Sequence, residues 1–155
     1  MPVTPFHLGP GLLLKGLAPG RVSLSAFTLA NVSIDAESVV NLLTGRWPVH
    51  ATLHTLVGAL AVGLLAGVAV AVVGARRGWR ASESGWAPAL AGGVLGGLAQ
   101  TALDAVMHAD LRPLAPFTSA NPLLRVVDLG GLHLACVVAG ALGLGALWLR
   151  QWRAP

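Results

Sequence analysis

Residues 51–75 are 25 consecutive positions without an Asp, Glu, Lys or Arg. The hydrocarbon core of a bilayer takes about 20 apolar residues of helix, so this stretch predicts a transmembrane helix and rules out an ordinary soluble domain. Two further stretches have the same character: residues 85–107, broken by Gln100 and Asp104, and residues 129–149, carrying His133. A fourth, residues 22–43, contains Asp35 and Glu37 but is otherwise apolar or small. Composition agrees: 55% of the residues are hydrophobic and 10% charged, against about 45–50% and about 25% in soluble domains, and the mean hydropathy is +0.73. The expected fold is an all-α membrane protein, one integral domain over residues 1–155. It has about four transmembrane helices, at 22–43, 51–75, 85–107 and 129–149. Residues 6–19 are too short to cross alone and read as a re-entrant or interfacial piece ending at Pro19-Gly20.

The remaining features follow from this frame. Residues 108–128 hold Pro113, Pro116 and Pro122, which favours an ordered loop over a helix. The N-terminus lacks a basic leader region and is interrupted by Pro2, Pro5 and Pro10, so we expect it to be retained. A single Cys136 in an apolar run supports no disulfide framework. Small-xxx-small pairs at Gly63/Gly67, Gly92/Gly96 and Gly93/Gly97 mark close helix packing. The net charge is +4, but the arginines flank apolar segments and no basic stripe with interleaved aromatics appears, so the bilayer is the expected partner and nucleic acid is not. With four crossings, Arg21, Arg76, Arg77, Arg80, Arg150 and Arg153 fall on one side with Lys15, against Arg46, Arg112 and Arg125 on the other. The first side is therefore expected in the cytoplasm, with the C-terminus. Trp79, Trp86, Trp148 and Trp152 fall there as an interfacial belt.

This topology sends Asp35, Glu37, His50, His54, Asp104, His108, Asp110, Asp128 and His133 toward the extracytoplasmic side. His50 and His54, at i and i+4, are expected on one helix face, as are Asp104 and His108. Asp35 lies about two turns inside its helix, where an ionised carboxylate costs about 2.5–3.5 kcal/mol unless paired. Imidazoles and carboxylates converging from several helices suit a divalent metal: zinc first, with manganese or iron as alternatives. An open coordination position would let the ion activate water or polarise a phosphoryl or carbonyl oxygen. The plainer readings are an interfacial His133, solvated loop charges at Asp110, Asp128 and Arg125, and an Asp35 that pairs with a histidine to close the bundle. Glu37, two residues from Asp35, faces elsewhere, toward headgroups or a second partner.

The stretches "TPFHLGPGLLLKGL", "IDAES", "WPVHATLHTLVGA" and "ALDAVMHADLRPLAPF", with a looser "GGLHLACVVAG", resemble the bacterial membrane-bound metal-dependent hydrolases. These are also described as LexA-binding, inner-membrane-associated hydrolases. The resemblance covers most of the chain in the family's order. It implies an inner-membrane enzyme whose N-terminal histidine falls on His7, whose acidic position falls on Asp35 with Glu37 beside it, whose paired histidines fall on His50 and His54, and whose later aspartate falls on Asp104. It departs at Gln100, where the family often has histidine, and at Ala51, where it often has arginine. The His/Asp pattern is also similar to that of zinc-dependent phospholipases C, which points to a phosphoester or lipid substrate. The expected metal ligands are thus His50, His54, Asp35, Asp104 and His7. Asp104 and His108 are the expected catalytic residues, Asp104 as ligand or general base. The other reading is a non-catalytic membrane protein, handling lipid or ions or binding a partner, with a degenerate or structural site; Gln100 is the residue that favours it.

Overall fold

The computed structural model of the protein describes residues 5–153. Expectations for residues 1–4, Pro2 among them, and for residues 154–155 lie outside the described residues. A 3-10 turn, Pro5–His7, leads into α1 (Leu8–Leu17), α2 (Leu24–Leu43), α3 (Leu56–Arg77), α4 (Ala81–Ser84), α5 (Trp86–Met107) and α6 (Leu129–Arg153), with no strand among the described residues. α3, α5 and α6 are long and apolar enough to cross a membrane, with mean hydropathies of 2.7, 1.3 and 2.0 over their best windows. α2 has 20 residues and so reaches about 30 Å. Asn31, Asp35, Glu37 and Asn41 make it the most polar of the long helices, and it is not among those apolar enough to cross by composition. The expected fourth span is therefore present as a helix over Leu24–Leu43 rather than as a fully apolar crossing.

Glycine sets the packing. α3 and α5 run antiparallel with Ala59 opposite Gly97, Gly63 opposite Gly93 and Gly67 opposite Ala89, and a Cβ on any of these four glycines would lie under 3.0 Å from the facing backbone. On the other side of α5, Gly92 meets Ser23 and Gly96 meets Phe27 at the same closeness, so α2 and α5 run parallel. The small-residue pairs seen in the sequence are these two seams. Lipid supplies no hydrophobic drive between spans, so such close backbone contact is the chief source of cohesion. α1 runs parallel to α6, Gly9 against Cys136 and Gly16 against Gly143, and α6 joins the bundle chiefly through α1. Much of α6, including Leu134, Val137, Leu142 and Leu149, is exposed.

The two ends of the bundle differ. At one end gather Arg76, Arg77, Arg80 and Arg150, with exposed Trp79, Trp86, Trp148 and Trp152. Here the buried Lys15 donates to the carbonyls of Val22 and Ser82, 3.0 Å each, and pairs with Glu83. Glu83 also accepts from the hydroxyls of Ser23 and Ser25 and from the Ser25 amide. Burial alone would raise the Glu83 carboxyl, but Lys15 and Ser25 outweigh it and hold the group below its usual range. This clasp ties α1, α2 and α4 together. The opposite end carries the histidines and most of the acids.

Candidate metal centre

Three segments deliver the site: the end of α2, with Asp35 and Glu37; the end of α5, with Gln100 and Asp104; and the connection between α2 and α3, with His50 and His54. The helix expected from residue 51 begins instead at Leu56, so His50 and His54 do not share a helix face. Thr55 explains the start, because its hydroxyl accepts from the Gly58 amide at 3.0 Å, an N-cap. Upstream, carboxylates take up the backbone amides: Glu37 accepts from Thr52 and Leu53 at 2.9 and 2.8 Å, and Asp110 from Val49 and His50 at 2.9 Å each. The connection is thereby folded back on itself, and the two imidazoles meet edge to face at 4.9 Å. The predicted convergence holds, produced by a loop instead of a helical spacing.

Gln100, fully buried, is the hub beneath them. Its Nε2 donates to Asp35 Oδ1 at 2.5 Å and to Asp104 Oδ2 at 2.9 Å, and its Oε1 accepts from His7 Nδ1 at 2.7 Å. Only this orientation of the amide matches donors to acceptors. His54, with no exposed surface, sets Nε2 3.3 Å from Asp104 Oδ2, 3.8 Å from Asp35 Oδ1 and 3.4 Å from Ser38 Oγ, while its Nδ1 is 3.5 Å from Glu37. His50 is gripped by Asp110, whose two oxygens are each 3.1 Å from Nδ1. A carboxylate only accepts, so Nδ1 donates here and Nε2 is the ring nitrogen that remains to meet a ligand, as in the carboxylate–histidine arrangements behind metal sites. His108 stacks on His50 at 3.8 Å, with Nε2 3.8 Å from Asp104 Oδ1.

Electrostatics point the same way. Asp35 and Asp104 approach His54 at Nε2 and Glu37 approaches it at Nδ1, with side chains only 7%, 4% and 16% exposed. Burial opposes the charged form of His54, yet its bonds to Asp104 and Asp35 prevail and push its pKa up to about 9. Burial and the neighbouring His50 push His108 down to about 4, so His108 is neutral at pH 7. The bonds from His50 and the backbone hold Asp110 below the usual carboxylate range against the opposing effect of burial. Buried carboxylates packed against imidazoles are a donor set that could hold a divalent cation.

His50, His54 and Asp104, all buried, each place one ligand atom within 4.8 Å of the others. A tetrahedral zinc with bonds of about 2.0–2.2 Å sets its ligand atoms about 3.3–3.6 Å apart, so the three atoms would draw together by roughly an ångström to share one ion. His50, His108 and Asp110 form a second such group. The two share His50, and Asp110 already holds its ring, so the first group is the better-prepared site. Asp35 and His7 are in neither group. They stand one step out, bonded to Gln100, with His7 Nε2 3.7 Å from Asp104 Oδ1.

Two residues carry more than the sequence suggested. Asp110 is no solvated loop charge: it is bonded to the ring and amide of His50 and to Val49. Its only signal was a position two residues past His108 in the loop that returns over the site. Gln100 looked like a lost ligand, and its glutamine is instead the one group here able to donate to two acids and accept from a histidine. Glu37 turns to a second partner, as one of its readings had it. His133 belongs to neither ligand group; it stacks on Phe6 at 4.5 Å and lines a cavity of about 600 Å³ with His108, Asp128 and Arg125. No protein-family model, no curated protein and no solved structure matches this chain.

Proposed function

We propose that this chain is a metal-dependent hydrolase of the bacterial inner membrane, with its site on the extracytoplasmic side and a phosphoester or lipid as substrate. The observation that carries the reading is the buried His50–His54–Asp104 group, its rings held from behind by Asp110 and Glu37. The separation of this group from the arginine-bearing end supports the orientation. A divalent ion there, zinc or else manganese or iron, supplies a Lewis acid and an acidified water. The chain's own residues do the rest. His50, His54 and Asp104 bind; Asp35, Gln100 and His7 hold Asp104 in place. Asp104 takes a proton from water as the water oxygen bonds to phosphorus and the ester P–O bond breaks, and the proton passes to the leaving oxygen. His108, neutral, offers a hydrogen bond to the departing group.

A second reading is a non-catalytic membrane protein with a structural site. It is favoured by Gln100, whose amide joins Asp35 to Asp104 where the resemblance leads one to expect a metal-ligating histidine. Hydrolysis of bis-p-nitrophenyl phosphate by purified, zinc-loaded protein separates the two. The hydrolase reading expects turnover that falls at least about a hundredfold in Asp104→Asn. Metal binding in the wild type with no turnover of this ester or of phospholipids would leave the structural site.

A further inference from the structure

A cavity of about 700 Å³ lies against the outer side of His50, within the roughly 300–1,000 Å³ that holds a drug-sized ligand. Its walls have two chemistries. Val57, Gly58 and Ala61 form one wall along the first turns of α3, and Ala115 and Pro116 face them from the loop that follows α5. α3 is the most apolar of the three helices able to cross a membrane, and Val57 is half exposed. The apolar wall therefore continues the surface that α3 turns to the hydrocarbon. The cavity is also lined by His50, Asp110 and Arg112. Asp110 is committed to His50 and two amides. The exposed Arg112 guanidinium makes no hydrogen bond or ion pair with any other described residue. A cation without a partner among the described residues, lining the same cavity as His50 and the apolar α3 residues, is complementary to an anion carrying a hydrocarbon tail.

We propose that this cavity binds a membrane lipid with a phosphate headgroup, entering sideways from the bilayer, with its phosphate on Arg112 and the first part of one acyl chain along Val57, Gly58 and Ala61. The inference rests on the hydrolase reading for what happens next to the phosphate, but binding does not depend on turnover. Arg112 is then the residue that selects charge, and the α3 wall the surface that selects a chain.

The test is binding of an oleoyl-chain phosphomonoester lysolipid bearing a fluorescent tag, compared with the equally tagged monoacylglycerol, to full-length protein in phosphate-free maltoside micelles. Arg112→Ala is expected to weaken the phosphate lipid about tenfold, the loss of one charge-assisted contact, and to leave the monoacylglycerol unchanged. Ala61→Trp, which fills the apolar wall, is expected to weaken both lipids. Arg112 is exposed, so its variant separates a lost contact from a lost fold. Unchanged binding of the phosphate lipid in both variants overturns the proposal. So does equal binding of the two lipids by the wild type, which would assign the cavity to a neutral chain or an apolar peptide. If bis-p-nitrophenyl phosphate is still hydrolysed while the variants bind lipid normally, the lipid proposal fails and the hydrolase reading stands. If the variants lose lipid but the wild type hydrolyses no ester, the site is a lipid-binding one and the hydrolase reading fails.

Discussion

At the scale of single residues, the site depends on who holds each imidazole. Asp110 grips the ring of His50 and the backbone that carries it, so Asp110→Asn loosens both tautomer and orientation. The expected result is a loss of about 10–100-fold in zinc affinity, measured by competition with a chromophoric chelator; unchanged affinity would remove Asp110 from the site. Gln100 shows why such roles are hard to read from a chain. Set against the pattern the chain resembles, Gln100 reads as a missing histidine, and only the positions of Asp35, Asp104 and His7 around it reveal a group bonded to all three. His50, His54 and Asp104 were legible because charged or metal-competent side chains are costly in a membrane protein and need a reason. Asp110 was not, because a carboxylate in a loop costs nothing when solvated.

At the scale of elements, the helices are joined by backbone contact. A Cβ on Gly96 would lie under 3.0 Å from the backbone of Phe27, with no side chain able to yield, whereas one on Gly145 meets open space. Gly96→Leu should therefore part α2 from α5, lowering stability by about 1–3 kcal/mol or more and separating Asp35 from Gln100. Gly145→Ala should be silent; thermal unfolding in detergent reads both. Here the sequence was informative, since hydropathy marks α3, α5 and α6, and the spacing of the glycines marks the seams of α5 with α3 and α2. It misplaced the start of α3, because hydropathy cannot distinguish an apolar loop from an apolar helix. The turn at Thr55 rests on bonds to Glu37 and Asp110 from elsewhere in the chain. The short α4, inside a basic link, carried no periodic signal at all.

At the scale of the whole molecule, one end is closed by ion pairing and the other gathers His/Asp groups that could hold a metal ion. At the closed end, Glu83 has its carboxyl held below the ordinary value by Lys15 and Ser25. Its contribution is present in full above the unfolded pKa and is lost as pH falls through the lower folded one. Melting temperature should thus fall on acidification below about pH 4.5, the carboxylate's usual range. Glu83→Gln should start lower at pH 7 and lose part of that slope, Asp110 supplying the rest; an identical pH profile in the variant would contradict the clasp. At the open end, His50, His54 and Asp104 each place a ligand atom where the three could hold one metal ion. The most direct test is elemental analysis of the purified protein after zinc loading and desalting, in the wild type, in His54→Ala and in His133→Ala. The account predicts a bound divalent ion in the wild type and in His133→Ala, and its loss in His54→Ala. Equal metal content in His54→Ala and the wild type, or none in any of the three, would contradict it.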